Sequence, residues 1–212
     1  MKTFPDFFNF PTAVINQQDF LSSKEIEEVL KFTENLSSEG AKIGNSSQND
    51  NLLDTNVRRS NVKWIPKVEE IHWLYAKIYH KIHMENSLVW KFKLKDFHEN
   101  IQYTEYHGEQ KGQYDWHVDI GADRNCFRKL SLTIQLSDPL EHKGGYLQLH
   151  NYDNMDPEYL ENTPGNDYYI KTIKKRKGTI TLFPSFTPHR VSPVIKGVRK
   201  SLVLWVGGCP FK

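Results

Sequence analysis

The feature that most constrains the fold of this chain is the tripeptide His117-Val118-Asp119, followed far downstream by His189. In an extended segment, residues two apart point to the same side, so His117 and Asp119 can face one point while Val118 packs on the other side. His189 must reach the same point from a distant strand. The pattern therefore favours a closed β architecture in which the three side chains converge.

The three converging side chains predict a metal site. Two imidazoles and one carboxylate form the facial triad of non-haem Fe(II) oxygenases, which leaves positions on the metal open for substrate and O2. We therefore predict that His117, Asp119 and His189 bind iron. The chain has nine histidines, but His80 and His83 lack a third partner, and a solvated helix face is the better interpretation of that pair.

Arg199 and Ser201 form a second candidate site on a later predicted strand, 198–206. They share one face of that strand because they are two residues apart. A guanidinium fork beside a hydroxyl suits a carboxylate bound through both oxygens. We predict that Arg199 binds an anionic co-substrate, with Arg190 and Arg128 as the next candidates.

Alternation with a period of two begins near Leu88, and it is clearest in the segment 130–136. One face of that segment is apolar, and the other carries Ser131, Thr133 and Gln135. In an ordinary sandwich the polar face would meet solvent, whereas in a jelly roll it could line a cavity. The cavity is favoured because this strand falls between the two segments that carry the metal ligands.

Four segments occur in the same order as in Fe(II)/2-oxoglutarate-dependent dioxygenases, and the chain resembles that family. The segments are 106–119 (YHGEQKGQYDWHVD), 130–139, 144–147 and 178–201. The resemblance is closest to the prolyl-4-hydroxylase-like branch, including the PKHD-type hydroxylases. It is close in roughly the C-terminal half and loose in the N-terminal half, where it rests on 20–22 before a helix and 58–64 after a loop. It implies a mainly β fold with N-terminal helices, a double-stranded β-helix or jelly roll of roughly eight strands.

The resemblance also implies roles for individual residues. His117, Asp119 and His189 match the iron ligands of the family, and Arg199 matches the residue that pairs with the distal carboxylate of 2-oxoglutarate. Arg199 is therefore grouped with the triad as a catalytic candidate.

Three further residues are expected at the co-substrate. Tyr106 matches a tyrosine that lines the 2-oxoglutarate pocket, and Ser201 resembles the serine of an Arg-x-Ser pair seen in some relatives. Gln135 stands where animal prolyl hydroxylases carry a second co-substrate tyrosine, so the hydrogen bonding of the co-substrate is expected to differ here.

The reaction that the family implies is hydroxylation of an unactivated C–H bond, coupled to oxidative decarboxylation of 2-oxoglutarate to succinate and CO2. Fe(II), 2-oxoglutarate and O2 are then required, and ascorbate is a further candidate. A peptidyl prolyl or other amino-acid side chain is the leading substrate, with a free amino acid or small metabolite as the alternative. Nucleic-acid demethylases carry a second arginine where this chain has Trp205, which disfavours nucleic acid.

A cupin-like metal-binding module without turnover is the alternative from a different class. It would keep the histidines but would have no need for Arg199 and Ser201. Production of succinate from 2-oxoglutarate separates the two hypotheses.

The composition fits one domain over residues 1–212, with 38% hydrophobic residues. We expect a helical buttress over about 1–86 and a jelly-roll core over about 87–212. A formal charge of +2 gives no bulk attraction to nucleic acid or membranes. Cys126 and Cys209 form no disulfide or zinc pattern, and no apolar run is long enough to cross a bilayer. A cytoplasmic setting follows, and the oligomeric state is left open.

Two helices and two loops complete the prediction. Ser22 and Glu25 form a capping box at the start of one helix, and a second helix runs from about Pro66 into the eighties. The polar loops 37–56 and 151–167 are hypothesised to close over the substrate, with plain disordered surface as the alternative. In that alternative, substrate choice lies in the rim formed by Tyr106, Gln113, Tyr114 and Trp116.

Overall fold

Two helices and thirteen strands make up the part of the chain that this computed structural model describes, residues 13–40, 57–121, 125–150 and 170–209. The helices are α1 (Ser23–Glu34) and α2 (His72–Leu88), and short 3-10 turns lie at Glu69–Ile71 and Gly108–Gln110. The strands are β1 (Ile15–Gln17), β2 (Glu39–Gly40), β3 (Arg58–Arg59), β4 (Asn61–Ile65), β5 (Ile101–His107), β6 (Gln113–His117), β7 (Arg128–Gln135), β8 (His142–Gly144), β9 (Leu147–His150), β10 (Ile170–Thr172), β11 (Ile180–Pro184), β12 (His189–Val191) and β13 (Val194–Gly207).

Both predicted helices are present. The Ser22 side chain accepts a hydrogen bond from the backbone of Glu25, and the Glu25 side chain accepts one from the backbone of Ser22, which confirms the capping box of α1. The second helix begins later than predicted, because a 3-10 turn precedes α2. Val68, which lies within the predicted helix, is therefore ahead of α2 and is 37% exposed.

The strands form two antiparallel sheets, as the double-stranded β-helix requires. One sheet has eight strands in the order β1-β11-β7-β13-β5-β4-β2, with β8 paired to β13, and the other has the order β10-β9-β12-β6-β3. The predicted fold class, mainly β with N-terminal helices, is confirmed. Four of the thirteen described strands, β1 to β4, come from the N-terminal segment, and the other nine lie in the C-terminal part, where roughly eight were expected.

The expected helical buttress over about 1–86 is only partly helical. Strand β1 pairs with β11, β3 pairs with β6, and β4 pairs with β5 along five residue pairs. The N-terminal segment therefore extends both sheets as well as covering one of them. The pairs gave no clear signal in the sequence because such short strands carry little periodicity.

The eight-stranded sheet buries its two faces differently. Leu202, Leu204 and Val206 of β13 join the core that includes Leu74 and Ile78 of α2. The alternate residues of β13, which are Arg199, Ser201, Val203 and Trp205, line a cavity on the other face. The helices thus seal one face of the sheet, and the polar side chains meet inside the jelly roll.

The two predicted loops lie almost entirely outside the described residues. Of the segment 37–56, Glu39 and Gly40 form β2 and pair with Val62 and Asn61, while 41–56 falls outside. The segment 151–167 also falls outside, so the hypothesis that these loops close over a substrate stays a prediction. Among the helices that the structure describes, neither is long and apolar enough to span a bilayer.

Candidate active site

The structure brings His117, Asp119 and His189 together. His117 and His189 are direct partners in the pairing of β6 with β12, and Asp119 follows just beyond the end of β6. The Nε2 atom of His117 lies 3.7 Å from Oδ1 of Asp119, and Nε2 of His189 lies 3.5 Å from Oδ2. One ligand atom from each residue lies within 4.8 Å of the others, an arrangement that fits metal binding.

Backbone carbonyls orient both imidazoles toward the shared point. The Nδ1 atom of His117 donates to the carbonyl of Asp115 at 2.7 Å, and Nδ1 of His189 donates to the carbonyl of Thr187 at 2.9 Å. Both Nε2 atoms then carry the lone pair that a metal needs, as in most histidine metal sites. Burial and the nearby His189 lower the pKa of His117 to about 3, which keeps its imidazole neutral.

Asp119 is fixed by groups from three directions. Its N–H donates to the carbonyl of Ser185 at 2.9 Å, and its own carbonyl accepts from Nη1 of Arg128 at 3.2 Å. The hydroxyl of Ser131, which shares a hydrogen bond with the hydroxyl of Ser185 at 3.0 Å, acts on its carboxylate from a third side. Burial works to raise the pKa of Asp119, but the two histidines, Arg128 and Ser131 outweigh it and hold the pKa below its usual range. The carboxylate is therefore ionised and ready to bind a cation.

Arg199 lies on the same cavity as the triad and has an unsatisfied donor. It is 3% exposed, and its Nη1 donates to Oγ of Ser201 at 2.9 Å. Its Nε is buried with no hydrogen-bond partner among the described residues, and burial lowers the pKa of the guanidinium. Tyr106, its partner across β5 and β13, lies below it with 5.4 Å between Cζ and the ring centroid. An anion bound here would supply what the buried donor lacks.

The Gly144-Gly145 pair makes room for this guanidinium. Gly145 has a φ of +65°, and a Cβ at that position would lie 3.0 Å from Cδ of Arg199 and 2.8 Å from Cγ2 of Val194. A side chain at 145 would therefore push Arg199 out of its present position as well as strain the backbone.

Gln135 lies on the strand next to that of Arg199. It is the partner of Ser201 across β7 and β13, and with Arg199 it lines a small cavity of about 20 Å³. Its amide nitrogen lies 3.2 Å from Nε2 of His142 and 3.3 Å from the carbonyl of Ser137. The amide oxygen is thus left to face away from these two groups.

His142 and Lys175 also form part of this region. Nδ1 of His142 donates to the carbonyl of Gly144 at 3.2 Å. Nζ of Lys175 donates to the carbonyls of His142 and Gly144. Sequence periodicity does not predict that either residue lies here, because both reach this region through contacts with β8.

The cavity shared by the triad and Arg199 has a volume of about 290 Å³, close to the lower end for small-molecule sites. Of the four residues of the rim hypothesis, Tyr106 and Tyr114 line the cavity and Gln113 and Trp116 do not; Trp116 packs against His150 and Arg190. His107 turns away from it and bonds Glu105 on the opposite face of β5.

Arg128 and Arg58 line the end of the cavity that carries the triad, called the metal end below, whereas Arg190 is not among the lining residues. Arg128, a reserve candidate for co-substrate binding, is paired with Glu99 and lies 3.9 Å above the ring of Trp205. Arg190, the other reserve candidate, donates to Gln148 at 2.7 Å. Arg58, which sequence reasoning did not single out, lies 4.7 Å from the ring centroid of Tyr114. Its only sequence signal was the Arg-Arg-Ser-Asn-Val-Lys-Trp segment at 58–64.

Comparison with known proteins agrees with this architecture. The profile of the 2OG-Fe(II) oxygenase superfamily matches residues 101–207, half of the chain. The chain therefore belongs to this superfamily. A PKHD-type hydroxylase of Synechococcus sp. strain CC9605 is 37% identical over 93 residues, which is 44% of this chain and 36% of that protein. The match thus spans little more than a third of the length of that relative.

Solved structures share the fold over nearly the whole chain. A prolyl-4-hydroxylase of Pseudomonas putida has a TM-score of 0.65 at 19% identity and covers 92% of both chains. A prolyl hydroxylase of Trichoplax adhaerens, in complex with a hypoxia inducible factor peptide fragment, has a TM-score of 0.71 at 18% identity and covers 93% of this chain and 84% of its own.

Proposed function

We propose that this protein is an Fe(II)- and 2-oxoglutarate-dependent oxygenase that hydroxylates an unactivated C–H bond and releases succinate and CO2. One observation carries the proposal: a His-Asp-His triad and a buried arginine with an unpartnered Nε face the same cavity. A metal-binding module without turnover would have no use for that arginine. We further propose that residues 1–212 act as one domain.

The triad has the chemistry that Fe(II) needs. It offers two neutral imidazole nitrogens and one ionised carboxylate from one side, as in the facial triads of non-haem iron oxygenases. When bound, iron supplies the redox chemistry with O2 that protein side chains lack. His117, Asp119 and His189 hold the metal, while the carbonyls of Asp115 and Thr187 fix the two imidazoles.

The region around Arg199 fits the distal carboxylate of 2-oxoglutarate. The unpartnered Nε of Arg199 and the hydroxyl of Ser201 lie side by side, and Tyr106 closes the pocket below them. Gln135 stands beside Ser201 on the adjacent strand and is fixed by His142. We assign Arg199 as the anchor of the co-substrate and Tyr106, Ser201 and Gln135 as its neighbours.

A peptidyl prolyl or other amino-acid side chain is the substrate that we propose. The Trichoplax adhaerens neighbour is a prolyl hydroxylase in complex with a peptide, and the curated relative is a PKHD-type hydroxylase. A free amino acid or small metabolite is the second candidate, because a cavity of about 290 Å³ can hold a molecule of that size. Ascorbate is proposed as an accessory reductant, and the two free cysteines, Cys126 and Cys209, suit a reducing cytoplasm.

The test is incubation of the iron-loaded protein with 2-oxoglutarate and O2, with succinate as the measured product. We expect succinate even without a primary substrate, at a low rate, and an increase when a substrate peptide is added. Arg199→Ala provides the control, because it should retain iron but lose most succinate production. Iron binding without any succinate would support the non-catalytic module instead.

A further inference from the structure

Arg58 carries a charge at the active-site cavity that the proposed reaction does not use. It lies on β3, directly opposite Tyr114 of β6, and is 9% exposed. Its Nε donates to Oγ of Ser60 at 3.0 Å, and its Cζ lies 4.7 Å from the ring centroid of Tyr114. The ring of Tyr114 in turn stacks on His117, with 3.5 Å between centroids. Arg58 is thus one aromatic ring away from a metal ligand.

The positive charge of Arg58 acts on both of these neighbours. Burial raises the pKa of Tyr114 to about 12, and Arg58 opposes that increase. Arg58 also adds to the lowering of the pKa of His117, after burial and His189. The guanidinium therefore contributes a positive potential at the metal end of the cavity.

No carboxylate pairs with Arg58 among the residues that the structure describes. The other two arginines of the cavity are accounted for: Arg128 forms an ion pair with Glu99, and Arg199 lies beside Ser201 in the proposed co-substrate pocket. Arg58 has a hydroxyl and the face of a phenol as its partners. Its two terminal nitrogens, which make the bidentate fork, have no described partner.

The charges at the site with Fe(II) and 2-oxoglutarate bound also leave Arg58 without a counter-charge. This step rests on the proposed function. The distal carboxylate of 2-oxoglutarate would neutralise Arg199, and its other carboxylate together with Asp119 would neutralise the two charges of Fe(II). Arg128 is neutralised by Glu99. Arg58 keeps a full positive charge in a mostly buried position, which is unfavourable unless an anion pairs with it.

We propose that Arg58 binds a carboxylate of the primary substrate and thereby selects anionic substrates. The carboxylate has two sources with the same chemistry. It belongs to an acidic residue next to the hydroxylated residue in a peptide, or it is the carboxylate of a free amino acid or small acid. In both cases the contact places the reacting C–H bond beside the metal end of the cavity, on the Tyr114 side.

The binding test uses protein loaded with Mn(II) and 2-oxoglutarate, with N-acetyl-L-proline and N-acetyl-L-prolinamide as matched probes. Broadening of the acetyl methyl proton signal by Mn(II) reports a probe near the metal. We expect the carboxylate probe to bind roughly ten- to hundredfold more tightly than the amide, the range for a hydrogen bond to a charged group. Arg58→Gln should remove that preference, and Arg58→Lys should keep part of it.

Arg59→Gln is the matched control, because Arg59 is the next residue of β3 and its guanidinium donates to the carbonyl of Lys111, away from the cavity. It should keep the preference of the unaltered protein. Affinities for Mn(II) and 2-oxoglutarate should be the same in all variants. If Arg58 only braces Tyr114 and His117, then Arg58→Gln would weaken Mn(II) binding without changing the preference between probes.

The source of the carboxylate is decided with the peptides acetyl-Gly-Pro-Glu-Gly-amide and acetyl-Gly-Pro-Gln-Gly-amide in the same assay. A preference for the Glu peptide that depends on Arg58 identifies an acidic neighbour in a peptide, and a preference confined to N-acetyl-L-proline identifies a free acid. Absence of any preference that depends on Arg58, including no binding of any probe, overturns the inference. Succinate formation by the iron-loaded protein alone, measured in parallel, tells that result apart from failure of the proposed oxygenase activity.

Discussion

The two ends of the cavity differ in how their side chains are held in place. At the metal end, the side chains of His117 and His189 are oriented by carbonyls of residues two positions earlier in the chain. At the other end, Arg199 is oriented by Ser201, two positions later, and by the space beside Gly145, while its Nε keeps no described partner. Nδ1 of each histidine ligand has its hydrogen bond before any ligand arrives, whereas Nε of Arg199 has none among the described residues.

This difference indicates which end is complete in the free protein. Ligands that are already oriented bind a metal with little rearrangement. A buried guanidinium with a free donor is destabilising until an anion binds, so binding there relieves an existing cost. We therefore expect changes at the metal end to abolish activity and changes at the arginine end to shift the requirement for 2-oxoglutarate.

The largest effect is expected for His189→Ala, which removes one of three metal ligands. Iron binding and succinate production should fall to background, because two remaining ligands do not make the facial triad. The fold should persist, since His189 faces the cavity and not the core beneath the helices. Iron content and circular dichroism are the measurements. Val118, which was expected to pack on the other side of the strand, is instead 44% exposed and lines the cavity. Leu140→Ala, at a 95% exposed position outside the cavity lining, is therefore the control and should behave as the unaltered protein. Full turnover in His189→Ala would falsify the triad.

Arg199→Ala should affect the opposite end with iron binding intact. Loss of one partner of a buried charge-assisted pair costs on the order of 2–5 kcal/mol, or about thirtyfold to several thousandfold in the affinity for 2-oxoglutarate. Arg199→Lys should recover part of this loss, because a lysine has the charge but not the fork. Titration of the Mn(II)-loaded variants with 2-oxoglutarate measures this affinity. An unchanged affinity would place the anchor elsewhere in the cavity.

The sequence predicted the metal end better than the arginine end for a physical reason. His-x-Asp is a local pattern whose geometry follows from the pleat of one strand, and alternation likewise predicted that Thr133 lines the cavity. The environment of Arg199 depends on Gly145 and His142, which reach it only through the pairing of β8 with β13. Arg58 likewise reaches the cavity only because the two-residue strand β3 pairs with β6.

Two serine variants test the independence of the two ends. Ser201→Ala leaves Nη1 of Arg199 without its partner, and Ser131→Ala removes a hydroxyl that helps to keep the pKa of Asp119 low. Each change should cost about 1–3 kcal/mol at its own end, roughly five- to a hundredfold in affinity. Ser201→Ala should weaken 2-oxoglutarate binding with Mn(II) affinity kept, and Ser131→Ala should do the reverse. Equal effects of either variant on both ligands would show that the ends are coupled.

The smallest predicted effect is on how the stability of the fold depends on pH, through His142 at the arginine end of the cavity. Burial, followed by the charges of Lys175 and Arg199, lowers the pKa of His142 to about 4 from its ordinary 6.5. The folded protein therefore keeps this imidazole neutral, with Nδ1 donating to Gly144 and Nε2 accepting from Gln135. The unfolded chain takes up a proton near pH 6.5, so this contribution to stability is full above that pH and is lost progressively as the pH falls toward about 4.

His142→Asn should remove this dependence. The free energy of unfolding, measured in urea, should fall less between pH 7 and pH 5 in His142→Asn than in the unaltered protein, although the variant is less stable at pH 7 because it loses a buried hydrogen-bonding ring. His80→Asn, at an exposed position of α2, serves as the control. The same measurement repeated with saturating 2-oxoglutarate should show a smaller difference between the two proteins, because a bound carboxylate offsets the charge of Arg199 that helps to keep His142 neutral. An equal loss of stability in both proteins without 2-oxoglutarate would mean that His142 is not held neutral by this end of the cavity.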